Sequence, residues 1–76
     1  MKELVEVMAK ALVDKPEAVQ VTEEADGKHI TVKLKVDPSD MGKVIGKQGR
    51  IAKAIRAVVK AASTRDDTYV DVDIIE

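Results

Sequence analysis

Gly46-Lys47-Gln48-Gly49 interrupts what would otherwise be a single long helical pattern, and that interruption decides what this chain can become. Asp37 can cap a helix and Pro38 suits its first position, which predicts a short helix running to about Ile45. Past the second glycine a new helix is predicted from about Gly49 to Ala62. Its apolar stripe is Ile51, Ile55, Val58, Val59 and Ala62, and its opposite side gathers Arg50, Lys53, Arg56 and Lys60. Two glycines three apart break the helix because each loses more backbone freedom on ordering than any other residue. The expected product is a tight corner between two helices.

The corner is strongly charged. Residues 41–65 carry seven basic side chains and no acidic one: Lys43, Lys47, Arg50, Lys53, Arg56, Lys60 and Arg65. That leaves 6 of the 13 basic residues against all 14 acidic ones elsewhere, so a net charge of −1 conceals a pronounced separation. Positive charge beside the exposed N–H groups of a helix N-terminus suits a phosphate chain.

The flanking segments are readable from period and turn chemistry. Residues 2–14 predict a helix with Leu4, Val5, Met8, Ala11 and Leu12 on one stripe, ended by Asp14-Lys15-Pro16. Ala18 to Glu24 is a short candidate strand with Val19 and Val21 inward. Asp26-Gly27 marks a hairpin turn. In the next strand Ile30, Val32, Leu34 and Val36 alternate with Thr31, Lys33 and Lys35. After a loop at residues 63–68, Tyr69 to Ile75 alternates again, with Val70, Val72 and Ile74 inward. The predicted order is α-β-β-α-α-β in a single domain, residues 1–76, without repeats or linkers.

Composition narrows the class. The chain is 45% hydrophobic and 36% charged, which suits a globular domain. At 76 residues its core is marginal, which favours association with a second chain. There is no cysteine and one histidine, and no metal-ligand spacing, so neither a catalytic centre nor a cofactor is expected. Ser39 and Ser63 lie near no plausible base. Gly42-Lys43-Val44-Ile45-Gly46-Lys47-Gln48 is superficially similar to a P-loop, but it is one residue short and lacks the Ser or Thr that binds Mg²⁺. No apolar run reaches the roughly 18 residues of a membrane span, and the N-terminus is no signal peptide. The expectation is a soluble, cytoplasmic protein with no membrane partner.

Val44-Ile45-Gly46-Lys47-Gln48-Gly49-Arg50-Ile51, followed by Ala52-Lys53-Ala54-Ile55, resembles the Ile-Gly-x-x-Gly signature of the KH domain. The element order resembles the prokaryotic type II arrangement, and the likeness spans essentially the whole chain. It is similar to the small bacterial single-KH-domain RNA-binding proteins of the KhpA (YlqC) family. The resemblance implies an α+β fold with a three-stranded mixed sheet covered on one face by three helices. It also implies a loop that clamps the backbone of about four nucleotides of single-stranded RNA, acting as a non-catalytic RNA chaperone or post-transcriptional regulator.

The implied site comprises Gly46, Lys47, Gln48 and Gly49, flanked by Arg50 and Lys53, over an apolar floor of Val44, Ile45 and Ile51, with Leu34 near it. The strand at residues 30–36 is expected to wall the groove. Apolar helix positions fall two and six residues after the second glycine, where KH domains often have three and six. The resemblance further implies a homodimer and a heterodimer with a larger bacterial KH protein of the Jag (EloR/KhpB) family. Lys43, Arg56, Lys60 and Arg65 are expected on a solvated helix face. The rival reading is a KH-fold interaction module, with Ala54, Ala57 and Ala61 as its contact strip and little RNA binding of its own.

Overall fold

A computed structural model describes residues 1–75. Helix α1 (Lys2–Leu12) is followed by one 3-10 turn (Pro16–Ala18), strands β1 (Gln20–Asp26) and β2 (His29–Lys35), helix α2 (Pro38–Arg65) and strand β3 (Tyr69–Ile75). Helix α2 is not continuous: residues 46–49 leave helical geometry, giving a first arm at 38–45 and a second at 50–65. The α+β class, the mixed sheet and the three helical segments agree with the type II KH arrangement.

Strand β2 lies at the centre of the sheet, antiparallel to β1 and parallel to β3. Its register places Val21 opposite Leu34, and Val32 and Leu34 opposite Val72 and Ile74. These residues face the helices, and with Val5, Ala9, Val44, Ile55 and Val59 they form one apolar core. The parallel pairing is possible because the whole of α2 serves as the crossover between β2 and β3.

Three local expectations shift. Pro16 starts a 3-10 turn, so β1 begins at Gln20 and runs to Asp26, although Val19 and Val21 are buried as expected. On α1 the buried line is Val5, Ala9 and Val13, with Leu4, Met8 and Leu12 half-buried beside it and Ala11 exposed. Small Ala9 is buried although its hydrophobicity is modest. The second arm of α2 buries Ala52, Ile55, Val59 and Ser63 and extends to Arg65, leaving Val58 42% exposed.

The first arm is anchored by two aspartates. Asp37 accepts hydrogen bonds from the Ser39 N–H (2.9 Å) and the Ser39 Oγ–H (2.7 Å), capping α2. The Ser39 side chain, then its backbone N–H, hold the Asp37 carboxyl below its ordinary range. A carboxyl depressed in the folded state stabilises it above the unfolded pKa, and the contribution is lost as pH falls through the folded value.

Asp40 is only 1% exposed. Its two carboxylate oxygens accept the backbone N–H groups of Asp14 and Lys15, each at 3.1 Å. It thereby ties the chain leaving α1 to the first turn of α2, where the helix dipole favours negative charge. Replacing Asp40 with Ala strands two donors at a buried corner, and a loss of about 3 kcal/mol is expected. Urea denaturation of Asp40→Ala checks this; an unchanged midpoint would show that the corner holds without it.

Candidate nucleic-acid interface

The turn between the two arms of α2 is unusual in its handedness. Gly46 has φ −64 and ψ 170, after which Lys47 (53, 48), Gln48 (64, 27) and Gly49 (70, 30) are all left-handed. For Gly49 this conformation costs little. For Lys47 and Gln48 each left-handed residue costs roughly 1–2 kcal/mol. Two exposed side chains therefore occupy positions where glycine would strain the backbone less. Gly46 poses the opposite puzzle: its φ is ordinary and a Cβ there would meet nothing within 4 Å. Nothing inside the chain demands glycine at 46, and the space in front of it is open.

Beside the loop lies a cleft of about 420 Å³, lined by Ile45, Gln48, Gly49, Ala52, Lys53, Arg56 and Ile74. That is within the ordinary range for a small-ligand site, roughly 300–1,000 Å³. A larger cleft, about 1040 Å³, continues past Arg56 along β3. The smaller one is the candidate site, because loop residues line it. Of the expected residues it gathers Ile45 (55% exposed), Gln48, Gly49 and Lys53. Lys47 and Arg50 are exposed next to it, without lining it.

Two floor assignments change. Val44 is 1% exposed and Ile51 is half-buried against the core, so both support the loop from beneath. Leu34 is likewise in the core. The strand wall is β3, through Ile74, and not the strand at residues 30–36. The reason is topological: β2 has a neighbour on each side, whereas β3 is an edge strand facing the second arm.

Ion pairing sorts the seven basic residues. Lys43 is paired with Asp14 at 3.0 Å and Arg65 contacts Asp66 at 3.7 Å. Among the described residues, Lys47, Arg50, Lys53, Arg56 and Lys60 have no carboxylate partner. Arg56 and Lys60, expected on a plain solvated face, border the two clefts instead. Arg56 Nη2 lies 3.5 Å from the Val72 carbonyl, a long contact that orients the guanidinium across the cleft. Their spacing from Lys53, three and seven residues, was the available signal, since it puts all three on one helix flank.

Over residues 2–74 the chain matches the family described as KhpA/KhpB, KH domain. The chain belongs to this family. It is 64% identical over 75 residues to the RNA-binding protein KhpA of Clostridium perfringens, covering 99% of this chain and 100% of that one. It is 59% identical over 75 residues to that of Caldanaerobacter subterraneus, with the same coverage. The Listeria monocytogenes protein of the same description is 50% identical over 76 residues and all of both chains. No solved structure matches. No helix among the described residues is long and apolar enough to cross a membrane.

The handedness of the loop has a measurable consequence. Gln48→Gly relieves a left-handed side chain and is expected to raise stability by about 1 kcal/mol. Thermal or urea unfolding of the variant checks this; a lower midpoint would mean that Gln48 makes a compensating contribution.

Proposed function

We propose that this chain binds single-stranded RNA at the Gly46–Gly49 loop, as a non-catalytic RNA chaperone or post-transcriptional regulator in the cytoplasm. The strand's phosphates lie against Lys47, Gln48 and the N-terminus of the second arm of α2, where helix N–H groups and the dipole favour anions. Arg50 and Lys53 flank the backbone. Bases turn toward Ile45 and Ile74, the apolar surfaces of the adjoining cleft. The observation that carries this reading is the left-handed Lys47-Gln48 pair, two donors held at the loop tip despite the strain. The open space before Gly46 suits close approach of a sugar-phosphate chain.

The RNA-binding name of the curated relatives agrees with this reading. Lys47, Arg50 and Lys53 neutralise few phosphates, so a lone copy binds weakly. A dimer, or a larger KH partner such as a Jag-type protein, raises affinity through effective concentration.

Association has its own supporting observation. Val58 is well exposed beside Ala54 and Ala61 on the second arm, away from the basic flank. A self-association contact there would be broken by Val58→Glu, read as a fall in molar mass by light scattering; an unchanged mass would remove it.

The loop is tested by Lys47→Asp with Gln48→Asp. Replacing two charge-assisted contacts by repulsion is expected to weaken binding of a labelled single-stranded RNA at least about a hundredfold. Fluorescence anisotropy reads the affinity and circular dichroism the fold. Equal affinity in a folded variant would move the site elsewhere and favour the interaction module.

A further inference from the structure

We infer that the bound strand does not end at the loop cleft but continues past Arg56 into the larger cleft along β3, where Lys60 holds a phosphate and Tyr69 stacks a base. This rests on the RNA-binding reading above and lengthens its site beyond the roughly four nucleotides a KH loop holds.

The two clefts adjoin at Arg56, which lines both. From Ile74 beside the loop to Tyr69 at the far end, β3 extends about 17 Å at roughly 3.3 Å per residue. Across from it Lys53, Arg56 and Lys60 follow one flank of α2, spanning about 10 Å at roughly 1.5 Å per residue. A track of unpaired cations thus parallels an edge strand and leads away from the loop.

The walls of the larger cleft differ in charge. The cleft wraps the free edge of β3: the helix side presents Arg56 and Lys60, while Asp71 and Asp73 on the strand's outer face, with Asp67 in the preceding loop, border the other side. Asp67 is bound by Lys28 at 2.8 Å and Asp71 by His29 at 2.7 Å, so two of the three carboxylates are already engaged. Phosphates are therefore sorted to the helix side and bases around the strand edge to its outer side. Tyr69, on that outer side, is the only aromatic residue of the chain and is 74% exposed. Folding makes little use of its ring, whereas single-strand binding uses such a platform directly. A basic peptide could seek the acidic wall, but the free Arg56 and Lys60 and continuity with the loop cleft favour an anionic strand.

The test compares labelled four- and eight-nucleotide oligouridylates on the parent, Lys60→Glu, Tyr69→Ala and Tyr69→Phe. In the parent the longer probe is expected to bind about fiftyfold more tightly: about fivefold from the extra registers and about tenfold from the Lys60 phosphate contact and the stacked base acting together. Lys60→Glu and Tyr69→Ala should lower the ratio toward about fivefold with four-nucleotide binding unchanged, and Tyr69→Phe should keep it. Lys60 is exposed, so its variant carries the test should Tyr69→Ala unfold. A parent ratio near fivefold, or a full ratio in Lys60→Glu, would overturn the extension and leave the loop reading intact. A parent that binds neither probe would overturn both.

Discussion

Uninterrupted, the 28 residues of α2 would form a rod about 42 Å long at roughly 1.5 Å per residue. The longest dimension of the molecule is 34 Å. The four non-helical residues at 46–49 resolve this conflict by letting one amphipathic segment fold back and lay both arms on the same face of the sheet. Val44 from the first arm and Ile55 and Val59 from the second then reach the core together. The first arm is held by the buried Asp40 tie, which fixes where the break occurs relative to the sheet. A device required for packing thus also creates an exposed loop facing a cleft.

The break, the hairpin, the alternation of β2 and β3 and the Asp37 cap were legible in the sequence because each depends on neighbours a few residues away. The flank of α2 that faces the sheet was less legible. Its stripe could be drawn through Ile51, Ile55, Val58 and Val59, but the helix packs on Ala52, Ile55, Val59 and Ser63. That change of phase exposes Val58 and turns Arg56 and Lys60 toward the clefts. The cleft wall depended on strand order, which arises from tertiary pairing: β3, last in sequence, occupies the edge, while β2 is enclosed. Val44 and Leu34 follow the same logic, as apolar residues close to the loop in sequence or strand that the core claims.

Charge was legible as a total and not as an availability. The seven basic residues of the 41–65 stretch look equivalent on paper. Folding brings Asp14 to Lys43 across 29 positions, and Arg65 meets its neighbour Asp66. Exposed pairs of this kind contribute little to stability. Their effect is selective: they occupy cations remote from the clefts and leave free those along the loop and its helix. A slightly acidic protein thereby keeps a narrow basic track, suited to a phosphate chain of defined path more than to indiscriminate attraction.

The central claim is that the loop and its adjoining cleft are where a single-stranded RNA lies. The most direct measurement is a map of backbone amide chemical shifts in the labelled protein as a four-nucleotide single-stranded RNA is added. The account predicts that the perturbed amides cluster at residues 45–53 and around Ile74, with the outer face of the sheet, at Thr22 and Lys33, unmoved. Perturbations centred on that outer face or on α1, with residues 46–49 silent, would contradict it.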